Sequence, residues 1–245
     1  MTTFLHSGKL GDIIYALPAV RACGGGDVLI KEEGWGKMTA EQVTSILPLV
    51  AEQPYIRSAR KWAGEAADVT LDHFRARPNL FLCNLATAHL NTVGYAPMEA
   101  QTAWLTVDSA PHDRPVFARS AIYHGSDELW RQCMALVESP LFVGMAAEHQ
   151  AFEAQFGPIE WRPTKDLLEL AILIAGAPFF VGNQSCPFAI AEGLKTRCIL
   201  EVNPHIPNCL FHRPDSVNVM KDGDVAKAIA AISSWQVPKG LGARG

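Results

Sequence analysis

No apolar run in this 245-residue chain approaches the roughly 18–20 residues that a bilayer-spanning helix needs, so no membrane span is expected. The longest, Leu167 to Ala177, is interrupted by Glu169 and Gly176 and reads as a buried core helix. Paired cysteines are missing too. Cys23, Cys83, Cys133, Cys186, Cys198 and Cys209 are scattered with no C-x-x-C spacing, and Met1 leads into a strand-like run instead of a signal peptide. A reduced cytoplasm is the simplest compartment. Excess positive charge is likewise absent. A net charge of −4 argues against a sequence-blind nucleic-acid binder, although a local basic groove stays open. Apolar residues at 49% and charged residues at 19% are ordinary globular usage, which excludes wholesale disorder and fibrous classes.

Two phosphate-binding signatures are also lacking. Ser7-Gly8-Lys9-Leu10-Gly11 has neither the upstream glycine spacing of a Walker loop nor a Ser or Thr after its lysine, and it fails the dinucleotide G-x-G-x-x-G pattern. Kinase-like and dehydrogenase-like readings lose support.

What is present is a strand and helix alternation that occurs twice. Thr2 to His6 reads as a strand, and Ile13, Ala16, Leu17 and Val20 mark the apolar face of a following helix that Pro18 is expected to kink or end. Gly24-Gly25-Gly26 stops that element and Asp27 to Lys31 reads as the next strand; segments 40–51, 67–74 and 80–92 continue the alternation. The proline-rich stretch around 108–116 reads as a linker. Beyond it, Ala121 to His124 is expected as a strand, Asp127 to Glu138 as a helix, Leu141 to Gly144 as a strand, and Ala146 to Phe156 and Lys165 to Ala175 as helices. Pro178 to Val181 then reads as a buried strand, a helix starts at Pro187 with Ser185 or Cys186 as its N-cap, Arg197 to Val202 is a strand and Val225 to Trp235 a closing helix. The expected class is α/β, with two Rossmann-like doubly wound halves facing a cleft: residues 1–112, residues 113–237, and a frayed tail at 238–245.

In open parallel sheets ligands bind beyond the carboxyl ends of the strands, where loops feed helix N-termini. Two turns qualify, Ser7 to Asp12 and Gly182 to Pro187. In the second, free backbone N–H groups and the positive end of a helix dipole suit a diphosphate, and Glu192 is placed to accept hydrogen bonds from a ribose. The alternative is a plain turn with Glu192 a solvated helix residue. In the first, Gly8 and Gly11 permit close backbone approach, and Asp12 is either a dipole-favoured helix opener or a functional carboxylate.

Gly11-Asp12-Ile13-Ile14-Tyr15-Ala16-Leu17-Pro18-Ala19-Val20-Arg21-Ala22 resembles the opening G-D-x-x-x-x-x-P signature of the heptosyltransferase-like glycosyltransferases, family 9 of that class, and Asp166 to Leu194 resembles their second signature. The two stand in the expected order, one per half. The resemblance implies the GT-B fold, a nucleotide-diphospho-sugar donor held mainly by the second half, an acceptor in the first, and inverting transfer with neither a cofactor nor an obligatory metal. It places Asp12 as the general base and Gln184, Ser185 and Cys186 on the phosphate-facing turn. The family's Asp-Thr/Ser-Gly-x-x-His is replaced here by Gln184, Ser185, Cys186 and Ala189, so its glycine and histidine are absent.

Arg119 and Ser120, taken to precede the first strand of the second half, are candidates for the donor's diphosphate because arginine grips phosphate bidentately. Lys9, Asn183, Asn208 and Arg213 are further candidate contacts. His205, Cys209 and His212 match no standard zinc spacing and read as part of a loop over the cleft. The acceptor implied is a glycan precursor, a lipid-linked glycan or a hydroxylated nucleobase. Two rival readings are a non-catalytic nucleotide-binding module of the same fold and a sugar-nucleotide epimerase, which changes a donor with no acceptor present. The oligomeric state is not legible in the sequence.

Overall fold

A computed structural model describes residues 2–76 and 83–236. Residues 80–82 of the expected segment 80–92 and the frayed tail from Pro238 lie outside these residues. Two parallel sheets carry the fold. The first contains β1 (Thr2–His6), β2 (Gly26–Ile30), β3 (Ile56–Lys61) and β4 (Val69–Thr70), in the order β3-β2-β1-β4. Helices α1 (Leu10–Ala22) and α2 (Ala40–Ala51) connect its first three strands; a 3₁₀ segment, Leu71–Ala76, follows β4, and α3 (Leu85–Thr92) comes after it.

The second sheet is built from β5 (Val116–Ala118), β6 (Leu141–Phe142), β7 (Glu160–Trp161), β8 (Phe180–Asn183), β9 (Cys198–Glu201) and β10 (Ser216–Val219). Its order is β10-β9-β8-β5-β6-β7, which is the doubly wound pattern 3-2-1-4-5-6 read from β7. Its helices are α4 (Asp127–Leu136), α5 (Ala146–Phe156), α6 (Leu167–Gly176), α7 (Cys186–Leu194) and α8 (Val225–Trp235). Among the described residues no helix is long and apolar enough to cross a membrane.

Each sheet has one switch point, where the strand order turns from one direction to the other. In the first it lies between β1 and β4, and in the second between β5 and β8. The loops leaving those four strands are therefore brought together in pairs. The halves join because α1 packs on α7 and α2 on α6, and one apolar core runs from Phe4, Ile13 and Leu17 through to Val116, Phe188 and Leu200. A second core, with Phe117, Trp130 and Phe142, covers the other face of the larger sheet.

Several elements differ from the sequence expectation. The first strand of the second half is Val116–Ala118, buried between its neighbours; Ala121 to His124 is a loop, largely exposed, with Tyr123 in the left-handed region at φ 62°. The expected linker hid the strand, because its apolar run begins directly after Pro115. Arg119 and Ser120 accordingly follow the strand instead of preceding it. Helix α7 begins at Cys186 with Ser185 as N-cap, which puts Pro187 at the second helical position.

Pro18 does not end α1, which continues to Ala22. A proline has no N–H to give the carbonyl four residues earlier, here that of Ile14. The Trp104 indole N–H supplies the missing donor, reaching Ile14 O at 3.1 Å. Trp104 is fully buried, and its backbone N–H, with that of Leu105, bonds Gly193 O at 2.9 and 3.0 Å. The Trp104 side chain thus completes α1, and the backbone of Trp104 and Leu105 ties the connecting segment to α7.

Replacing Trp104 by alanine removes about 3–5 kcal/mol of stability through lost packing, and it also leaves Ile14 O without its donor. Trp104→Phe restores most of the packing but not the hydrogen bond. Urea unfolding is expected to rank wild type above Trp104→Phe above Trp104→Ala; equal stability of wild type and Trp104→Phe would show that the hydrogen bond contributes nothing.

Candidate functional site

The two switch points open into one cleft of about 680 Å³, within the range of small-molecule sites. Its first wall carries Lys9, Gly11, Asp12, Trp35, Lys37 and Arg75; its second carries Ser120 to Tyr123, Met145, Glu148 and Gln184 to Cys186, with Asn208 and Cys209 between.

Asp12 stands at the third position of α1, where its Oδ2 accepts the Lys9 backbone N–H at 3.0 Å, the reach-back half of a capping box. The same oxygen meets the Arg75 guanidinium. Burial raises the Asp12 pKa, opposed by the Arg75 charge, the Lys9 N–H and the Lys9 charge. The turn that carries it is tightly held. Ser7 N and Oγ donate to Asp72 at 2.9 and 2.6 Å, and the Gly8 N–H donates to His6 Nδ1 at 2.8 Å.

His6 Nδ1 is thus an acceptor, so His6 carries its proton on Nε2 and shares it with His89 Nε2 at 3.0 Å, while His89 Nδ1 donates to Leu85 O at 2.8 Å. This chain is satisfied with both rings neutral. Burial, helped by the Arg75 charge, pushes the His6 pKa down to about 3, and burial with the neighbouring His6 lowers His89. Gly8 belongs to this support: a Cβ there would lie 2.4 Å from the His6 ring.

Across the cleft, no side chain caps α7. Ser185 Oγ turns back to Asn183 O at 3.1 Å, leaving the first-turn N–H groups without the usual side-chain partner. The α1 and α7 N-terminal turns abut, since a Cβ on Gly11 would lie 3.8 Å from Cys186 Cα. The Cys186 thiol is pushed up to about 12 by burial and then by the Asp12 charge, so it is not a thiolate nucleophile.

The remaining sequence candidates divide. Lys9 is exposed at the cleft, and Ser120, Gln184, Ser185, Cys186 and Asn208 also line it. Gln184 spends its amide on the 203–208 loop, donating to Ile206 O at 2.7 Å and Asn208 Oδ1 at 3.2 Å and accepting from Asn203 N at 2.7 Å. Asn183 is fully buried and clips the β5 and β8 loops through Ser120 and Ile122. Among the described residues no group of three or more His, Cys, Asp and Glu side chains is arranged to hold a metal ion.

Arg119 and Glu192 do not serve as ligand contacts here. Arg119 is buried and forks onto Glu201, with 3.0 and 2.7 Å contacts, and reaches Asp127 at 2.7 Å. Glu192 is fully buried and holds Lys195 at 2.5 Å and Arg213 at 3.0 Å. It lies six residues beyond Cys186, about 9 Å down the axis at 1.5 Å per residue, and faces the protein interior. Arg213 is spent on the same cluster.

The sequence reading missed Trp35, Lys37, Arg75, Tyr123, Met145 and Glu148. Trp35 between two glycines in Gly34-Trp35-Gly36 is a legible sign of an aromatic set on a turn. Arg75 carries no local sign, because its meeting with Asp12 depends on β4 lying beside β1. Because Arg119 neutralises the fully buried Glu201, Arg119→Ala is expected to cost about 3–5 kcal/mol in chemical unfolding; a loss under about 1 kcal/mol would contradict the buried-pair assignment.

No protein-family model and no curated protein matches the sequence. Solved structures do. The chain is similar to the E. coli ADP-heptose lipopolysaccharide heptosyltransferase II at TM-score 0.65 and 13% identity, over 96% of this chain and 98% of that one. It is similar to a family 9 glycosyl transferase from Veillonella parvula at TM-score 0.62 and 11% identity, over 96% and 97%. E. coli heptosyltransferase WaaC, solved with ADP-2-deoxy-2-fluoro heptose, aligns at TM-score 0.58 and 12% identity, over 96% and 98%. Two parallel sheets with facing switch points, superposable along nearly their whole length on these enzymes, give this chain the GT-B fold.

Proposed function

We propose that this chain is a glycosyltransferase that moves a sugar from a nucleotide-diphosphate donor to a hydroxyl acceptor. The observation that carries the reading is the meeting of Asp12 and the uncapped start of α7 in one cleft. Transfer needs a base for the acceptor hydroxyl and a stabiliser for the departing diphosphate. The α7 N–H groups and the helix dipole suit the phosphate charge, and the Asp12 carboxylate suits the proton.

In this reading the donor lies against the second wall, with Ser120, Ser185 and Cys186 at the diphosphate. The acceptor enters from the first wall beside Trp35, whose indole is 64% exposed. Base and leaving group then stand on opposite sides of the anomeric carbon, which suits inversion by direct displacement. WaaC was solved with ADP and with an ADP-sugar analogue, which makes adenine nucleotides the first donors to try. The helix terminus takes the role of charge stabiliser without a metal, and chelator-treated protein is expected to retain turnover. The acceptor class is a glycan precursor, free or lipid-linked, or a hydroxylated nucleobase, and the compartment proposed is the cytoplasm.

Thermal unfolding with ADP, UDP, GDP and CDP and their sugar conjugates tests the donor site. One nucleotide is expected to raise stability by about 2.7 kcal/mol at a hundred times its Kd. Asp12→Asn keeps that shift and loses roughly 10²–10⁴-fold in transfer. No shift with any nucleotide at saturation contradicts the reading; a shift with no turnover in wild type favours a binding module, and conversion of a donor without acceptor favours an epimerase.

A further inference from the structure

Arg75 is held in an unusual way. Its guanidinium lies 4.4 Å from the centre of the Trp35 ring and 4.7 Å from that of Phe74. Phe74 is fully buried and stacks on His89 at 3.9 Å between centroids, so the neutral histidine pair backs the clamp from below. Trp35 supplies the second ring against the guanidinium and stays largely exposed.

The loop carrying Trp35 is fixed accordingly. Trp35 N donates to Ser7 Oγ at 3.1 Å and Gly36 N to Ser7 O at 2.6 Å. A Cβ on Gly34 would lie 2.2 Å from Ser7 Cβ, and one on Gly36 would lie 2.3 Å from Gly8 C, so only glycine lets the loop press onto the Asp12 turn. Glu33 and Lys37, on either side, adopt left-handed conformations at φ 54° and 49°. The 3₁₀ segment supplies two separate anchors: Asp72 takes Ser7, and Arg75 takes Asp12.

We propose that Arg75, clamped between Trp35 and Phe74, is the positioning residue of the cleft: its guanidinium fixes the orientation of the Asp12 carboxylate and keeps it ionised. Its value for catalysis rests on Asp12 acting as the base, but the electrostatic assignment stands without that. The groups facing Asp12 are few. The Lys9 ammonium is exposed and therefore screened by solvent. His6 is neutral, and the Cys186 and Cys209 thiols are both held near 12 by burial, so none of the three adds charge near neutral pH. Asp72 is engaged by Ser7, and Glu148, itself raised by burial, belongs to the opposite wall. Arg75 is the partly buried cation touching the acid.

The sign follows. Burial drives Asp12 toward its neutral form and Arg75 opposes it, so removing Arg75 moves the Asp12 titration to higher pH. Carboxyl-carbon NMR of the ligand-free protein, labelled at aspartate and assigned with Asp12→Asn, reads this directly. Arg75→Gln is expected to raise the Asp12 midpoint by about one to three pH units, the usual reach of an adjacent opposite charge. Arg75→Lys restores most of it, Trp35→Ala gives a smaller rise, and Trp35→Phe, which keeps a ring face, stays near wild type. An Asp12 midpoint unchanged in Arg75→Gln overturns the proposal, as does one unchanged in Trp35→Ala if the glutamine variant does not fold. Under turnover the acid limb of kcat moves with the NMR midpoint. A shifted midpoint in a protein with no transfer activity would sink the glycosyltransferase reading and leave the Arg75 assignment intact.

Discussion

The contact on which the site depends is the abutment of two helix starts, Gly11 of α1 against Cys186 of α7. Each helix begins just beyond the switch point of a parallel sheet, where chain topology leaves a crevice. With the two starts in contact, the crevices merge into one cleft, and a carboxylate on one helix shares it with the uncapped terminus of the other. Trp104 stabilises this arrangement by taking the carbonyl that Pro18 leaves free and by bonding Gly193 at the far end of α7.

Polar groups around the cleft are accounted for in a way that separates support from function. Glu192 with Lys195 and Arg213, and Glu201 with Arg119 and Asp127, are closed ion clusters beneath the loops. Asn183 and Gln184 use their amides to fix neighbouring loops. What remains open to a ligand is Asp12 with Arg75, the exposed Lys9 and Lys37, the Trp35 face and the N–H groups of α7. A preorganised wall of cations beside a carboxylate, opposite a helix terminus, suits an anionic donor and a hydroxyl to be deprotonated.

The α/β class, the two parallel-sheet halves and the two turns that line the cleft were legible because parallel-sheet proteins write their alternation into apolar periodicity and glycine-rich turns. Helices α5 and α8 match their expected bounds, Ala146–Phe156 and Val225–Trp235. The short strands β5 and β7 were not, since two or three residues carry no period, and Pro115 disguised the first of them. Arg119 and Glu192 misled for a different reason: charge in a sequence does not say whether a partner waits inside the fold. Both found one, through strands and helices far apart in the chain. Arg75 is the converse, a residue with no local sign whose place follows from the strand order β1-β4.

The most direct measurement is a crystal structure of the protein with a bound nucleoside diphosphate, ADP first. The account predicts the diphosphate at the first turn of α7, hydrogen-bonded by its backbone N–H groups, with the open side of Asp12 facing the distal phosphate. A nucleotide bound at the same concentration outside the cleft, or phosphates turned away from both Cys186 and Asp12, would contradict it.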